Sequence, residues 1–198
     1  MRELALHILD IVENGITAGA DCIHIKVIEA RAEDLVKISI RDNGRGIPAE
    51  KLDRLQDPFV TSRTTRRVGL GLSLLAAAAE RCGGKIKVSV ASAGGTEVIA
   101  TFGYGHIDRA PVGDMASTLT TLLMGNPQID FVYTHTIDGD DFILDTRELK
   151  KELGVDCLED PMIIHQLGQH IRTSLAALAS NADQPEAREK RNNGKTND

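Results

Sequence analysis

Two glycine turns constrain this chain more than any other feature: Asp42-Asn43-Gly44-Arg45-Gly46, and further on Gly69-Leu70-Gly71-Leu72-Ser73-Leu74. In the first, an acidic side chain leads a turn whose glycines let the backbone pass close to a flat ring. The carboxylate can then accept a hydrogen bond from an exocyclic amine. The second opens an apolar helical pattern, where free backbone N–H groups and the helix dipole together favour a phosphate. One glycine pair would mark a turn and no more. A base acceptor and a phosphate cradle in one chain make a nucleotide clamp.

A third signal lies upstream, in His7-Ile8-Leu9-Asp10-Ile11-Val12-Glu13-Asn14-Gly15-Ile16. Leu4, Ile8, Ile11 and Gly15 recur at helical spacing, and Leu9, Val12 and Ile16 widen the stripe. Asp10 and Asn14 are one helical repeat apart, so both leave the same side of that helix at the edge of its apolar face. A carboxylate there can orient a nucleophile or accept its proton, and an amide oxygen can ligate Mg²⁺.

These stretches together resemble the ATP-binding fold shared by DNA gyrase, Hsp90, histidine kinases and DNA mismatch-repair ATPases. Ile11 through Ala20 resembles the family's asparagine box, and Asp42 through Gly46 its first glycine box. Asp57-Pro58-Phe59-Val60-Thr61-Ser62-Arg63 resembles the phenylalanine box, and Gly69 through Leu74 the second glycine box. Gly83-Gly84 and Gly94-Gly95-Thr96 sit where histidine kinases and anti-sigma-factor kinases close the domain. The resemblance implies ATP and Mg²⁺ as ligands. It places Asp42 on the adenine amine, Asn14 on Mg²⁺ and Thr96 near the base. It lines the pocket with Gly44, Gly46, Gly69, Gly71 and Leu72, together with Phe59, Thr61 and Arg63. Asp10 stands where many relatives carry a glutamate base, and its shorter side chain reaches less far. Arg67 stands where many histidine kinases have the first glycine of the second box, and the segment between Phe59 and Gly69 is short.

Charge and composition narrow the setting. A net charge of -6, 3% aromatic residues and no tryptophan argue against a nucleic-acid surface, which needs clustered positive charge with stacking side chains. The one basic run, Arg63-Thr64-Thr65-Arg66-Arg67, suits phosphate oxygens instead. No apolar run approaches the ~20 residues that span a bilayer, and Met1-Arg2-Glu3 does not open a signal peptide. Cys22, Cys82 and Cys157 are odd in number and lack metal-ligand spacing, so free thiols in a reducing compartment are expected. The expected setting is the cytoplasm.

Local patterns predict a helix over 3–18, strands over 22–29 and 35–41, a short helix near 48–55 and a helix over 69–82. Strands follow over 85–91 and 96–103, the second with Val98, Ala100 and Phe102 in strict alternation. The family fold is then a two-layer α/β sandwich, a mixed sheet with helices on one face. A boundary is expected near Gly103, giving an ATP-binding domain over 1–103. Beyond it, a helix over 113–124, a hairpin at Asp138-Gly139, and helices over 146–153 and 161–178 read as a small α+β appendage over 106–180 for docking or dimerisation. The polar stretch 181–198 reads as a disordered tail.

Relatives of this fold power different machines, so fold alone does not set function. The asparagine box begins close to Met1, with no phosphoacceptor helix pair ahead of it, so a complete conventional sensor kinase is not expected. The expected function is a stand-alone ATP-binding regulator that transfers the γ-phosphoryl group to a protein partner. The alternatives are a non-catalytic module in which ATP orders a protein-binding surface, and an ATPase without a protein acceptor.

Overall fold

The computed structural model describes residues 3–47, 70–91 and 94–183. The helix expected near 48–55 and the tail beyond 183 lie outside the described residues. The apolar stripe at the start of the chain forms α1 (Leu4–Thr17), burying Leu4, Ile8, Ile11, Val12 and Gly15. Its first N–H groups are satisfied from a distant stretch: Leu4 N donates to the Pro111 carbonyl at 3.0 Å and Ala5 N to that of Val112 at 2.8 Å. A helix start needs such partners, and Glu3 at the cap supplies none from its own side chain.

The period-2 runs form β1 (Cys22–Ala30) and β2 (Leu35–Asp42), which pair antiparallel with Ile23 opposite Asp42. After α2 (Leu70–Arg81) come β3 (Ile86–Val90) and β4 (Thr96–Gly103), the latter antiparallel to both β3 and β2. Next are α3 (Met115–Gly125), β5 (Asp130–Ile137), β6 (Asp140–Asp145), α4 (Thr146–Leu153) and α5 (Pro161–Ala182). Helix α5 therefore runs past its expected stop at Leu178. Among the described residues the strands make one six-stranded sheet, ordered β3-β4-β2-β1-β5-β6.

The stretch 106–180, read from sequence as an appendage, thus adds two strands to the sheet. β5 runs parallel to β1 with Cys22 opposite Asp130, and β6 returns antiparallel through Asp138 (φ 47°) and Gly139 (φ 96°). Two successive left-handed residues are what a two-residue hairpin turn requires. The inner sheet face carries Ile23, Ile25 and Val27, then Val36, Ile38 and Ile40, then Val98, Ala100 and Phe102, with Phe131 and Tyr133 from β5. Helices α2, α1, α3 and α5 lie side by side over this face and close the core. Removing a fully buried aliphatic such as Ile38 would cost about 2–5 kcal/mol. The opposite face presents Lys26, Lys37, Ser39 and Thr134 from the alternate positions.

A linked set of polar side chains, Tyr133, His135 and Glu29, lies at the β1–β5 pair. The Tyr133 hydroxyl lies 2.7 Å from His135 Nδ1, and His135 Nε2 lies 2.9 Å from Glu29 Oε1. Burial pushes the Tyr133 phenol well above its usual pKa. The three side chains satisfy one another, which is the condition for keeping polar atoms inside.

Candidate nucleotide site

Asp42 ends β2 at the rim of the sheet. Its Oδ1 accepts from Gly44 N at 2.9 Å and from Thr96 N at 3.3 Å, so one carboxylate oxygen is fixed by two backbone donors. The second oxygen can then be presented to a ligand without rotating the group. Two glycines make this seat possible. A Cβ on Gly15 of α1 would stand 3.0 Å from that of Asp42, so helix and carboxylate meet only because Gly15 has none. Gly95, at φ +83°, passes over the Asp42 carbonyl so closely that any side chain there would overlap it. Thr96, 8% exposed, follows as the first residue of β4.

Gly44 and Gly46 complete the turn. Gly44 lies against the Ala18 carbonyl and Gly46 against that of Gly95, while Arg45 N donates to Ala18 O at 3.1 Å. The neighbouring Asn43 is tied down as well: its Oδ1 accepts from Asp21 N at 3.0 Å and Cys22 N at 3.1 Å, and its Nδ2 donates to Asp21 Oδ1 at 2.6 Å. Asn43 was not among the residues singled out from sequence. An asparagine in a glycine turn reads as turn chemistry, and the Asp21 and Cys22 donors it serves are distant in sequence.

The second glycine turn is described from Leu70 onward. Gly71, in the first turn of α2, abuts Asp10: a Cβ there would stand 2.7 Å from the Asp10 Cβ and 3.0 Å from Oδ2. The start of α2 is therefore seated directly on the half-buried Asp10 of α1. Asn14, on the same side of α1, is exposed. Leu72 points into the protein at 8% exposure and belongs to the core cluster. Phe59, Thr61, Arg63 and Gly69 lie outside the described residues. Asp10 and Gly71 are thus brought together, as are Asp42, Gly44, Gly46 and Thr96, with Gly15 between α1 and the Asp42 turn.

His7, one turn before Asp10, is 3% exposed, and its Nδ1 has no hydrogen-bond partner among the described residues. Burial lowers its pKa, while the nearby Asp10 carboxylate pulls the other way. The three cysteines are free thiols, as their spacing led one to expect. Chemically, the site offers a fixed carboxylate for an amine, a helix start for an anion, and a carboxylate and an amide on one helix for acid–base or cation work.

The chain is similar to several known proteins. The pattern of the histidine kinase-, DNA gyrase B-, and HSP90-like ATPases matches residues 2–105. An uncharacterised sensor-like histidine kinase of Rhizobium meliloti (strain 1021) is 38% identical over 82 residues, which are 39% of this chain and 16% of that protein. The chain therefore spans a small part of that relative's length. Among solved structures, the ATP-binding domain of PrrB from Mycobacterium tuberculosis aligns over 50% of this chain and 64% of that one, at 24% identity and a TM-score of 0.38. The Aquifex aeolicus MutL ATPase domain complexed with ADP aligns over 78% and 70%, at 13% identity and a TM-score of 0.45.

Proposed function

The chain belongs to the histidine kinase-, DNA gyrase B-, and HSP90-like ATPase family, and from that premise we propose that this ATP-binding, histidine-kinase-like domain transfers the γ-phosphoryl group of Mg-ATP to a protein partner. The observation that carries the reading is the seat of Asp42. A carboxylate held by two backbone N–H groups beside Gly15 of α1, the helix whose Asp10 seats the start of α2, suits a purine amine with phosphates trailing toward a helix N-terminus.

In this reading Asp42 selects the base, with Thr96 and the turn glycines walling the pocket. The exposed amide of Asn14 would hold Mg²⁺, an ion that takes one or two protein oxygens and completes its shell with water and phosphate. Bound there, Mg²⁺ would neutralise phosphate charge. Asp10, pinned beneath Gly71, orients the acceptor group or takes its proton. The remaining work is positioning and charge compensation, which the backbone donors of α2 supply. The stretch 106–180 is assigned to partner choice, since its helices α3 and α5 expose Met124 and Met162.

The test is transfer of label from [γ-³²P]ATP. Label appearing in a co-purified protein, abolished by Asn14→Ala only through a magnesium-dependent loss of binding and slowed by Asp10→Asn with binding intact, supports the proposal. Release of free phosphate without a labelled protein makes the chain an ATPase. Binding without either product makes it a nucleotide-gated binding module.

A further inference from the structure

The turn that carries Asp42 is not held by its own strand alone. From Asn43 a run of hydrogen bonds leads away from the pocket. Asn43 grips Asp21 and Cys22 by three bonds, accepting from the main-chain N–H groups of both and donating to the Asp21 carboxylate. The Asp21 carbonyl accepts from Asp130 N at 2.8 Å, the first rung between the start of β1 and the start of β5. Asp130 Oδ1 in turn accepts from Lys150 Nζ at 2.9 Å, and the same amine donates to the Gln128 carbonyl at 3.2 Å.

Lys150 is only 8% exposed, although it sits on α4, a short and strongly polar helix. A lysine amine is seldom buried unless something on the inside requires its charge. Its helix is itself fastened to the same place: Thr146, fully buried at the start of α4, accepts from Phe131 N through Oγ1 at 2.8 Å. Helix α4 therefore grips the first two residues of β5 at two points. Those residues pair with Cys22 and Ile23 of β1, and Ile23 pairs with Asp42 itself.

We propose that Lys150 and Asn43 are positioning residues for nucleotide recognition. Lys150, acting through Asp130, Asp21 and Asn43, fixes where the Asp42 turn sits, so α4 of the C-terminal stretch sets the affinity of a pocket it does not line. The proposal rests on the reading that Asp42 binds the base. It deepens that reading by making base recognition depend on residues beyond 103. Neither residue touches the nucleotide, and their effect belongs to binding and base selectivity, not to the transfer step.

The experiment uses the full chain and titrates Mg-ATP and Mg-GTP by calorimetry, with thermal midpoints recorded separately. Asn43→Ala is expected to weaken ATP about tenfold and Lys150→Met about three- to fivefold, each narrowing the preference for ATP over GTP, since a loosened turn discriminates less. Lys150→Arg keeps the charge and should restore affinity to within about twofold of the parent. The decisive comparison is the double variant. Once Asn43 is gone the run is cut, so adding Lys150→Met should cause no further loss of affinity. If Lys150→Met fails to fold, Asp130→Asn, which keeps the shape and weakens the pull on the amine, reads the same link. Lys150→Met or Asp130→Asn binding ATP like the parent, while Asp42→Asn loses it, overturns the relay and leaves base recognition standing. Additive losses in the double variant overturn it too. Unchanged ATP affinity in Asp42→Asn removes the base reading and the proposal with it.

Discussion

Gly71→Ala is the sharpest perturbation the structure offers, because helix propensity and packing give it opposite signs. In an ordinary helix the change would stabilise by about 1 kcal/mol. Here the added Cβ meets the Asp10 Cβ at 2.7 Å, which is about 0.7 Å inside ordinary contact. The obstructing atom is a Cβ fixed to the backbone of α1, so no rotamer change can clear it. Either α1 and α2 part or the first turn of α2 shifts. Overpacking of this kind costs about 1–3 kcal/mol, so it cancels or outweighs the propensity gain and leaves a net loss of about 0–2 kcal/mol. Denaturant unfolding measures it, with ATP titration alongside, since the displaced helix start is the proposed phosphate cradle. The rescue is specific. Asp10→Ala leaves the nearest atom in place and should not relieve Gly71→Ala, whereas Asp10→Gly removes it and should return a coupling of about 1 kcal/mol or more in a double-mutant cycle. A Gly71→Ala protein more stable than the parent, with ATP affinity unchanged, would refute the seating of α2 on Asp10.

Two further outcomes follow from buried groups, and one from the sheet. His7 has its folded pKa lowered by burial, so the unfolded chain binds more protons below about 6.5 and stability is lost as pH falls through that range; thermal midpoints taken from pH 8 to pH 5 should fall, and His7→Leu should flatten the fall. Tyr133→Phe leaves His135 Nδ1 buried without its partner and should cost about 1–3 kcal/mol in denaturant unfolding, with ATP affinity unchanged. A chain ending at Gly105 loses the Pro111 and Val112 carbonyls that cap α1 and the Met115, Leu119 and Phe131 side chains that complete the core, so its cooperative thermal transition should disappear.

Much of the fold could be read from sequence where the signal was local. The stripe of Leu4, Ile8, Ile11 and Gly15 located α1, and the alternation of Val98, Ala100 and Phe102 located the buried face of β4. Asp138-Gly139 marked the β5–β6 turn by its chemistry, and both residues are left-handed. What escaped was non-local. Nothing in Phe131 or Tyr133 says that β5 will run parallel to β1, because parallel pairing is set by a long crossover and leaves no turn signature. The boundary near Gly103 followed the end of the recognisable boxes, while the core carries on through α3 and β5. At the candidate site, Gly44, Gly46, Gly71 and Asp42 stand out in the sequence because each has a distinctive backbone or charge role. Leu72 is assigned to the pocket through the family resemblance, and it is 8% exposed and part of the core cluster. His7, Asn43 and Lys150 were passed over, since a single histidine, a turn asparagine and a lysine in a polar helix all have ordinary readings until their neighbours are known.

The measurement that bears most directly on the account is calorimetric titration of Mg-ATP into the parent chain and into Asp42→Asn. The amide keeps the size of the carboxylate but presents a donor where an acceptor is needed, leaving the adenine amine unpaired at a cost of about 1–3 kcal/mol. The account predicts ATP binding by the parent and a loss of about tenfold or more in the variant, with an unchanged circular dichroism spectrum in both. A folded Asp42→Asn protein that binds ATP as tightly as the parent would contradict it.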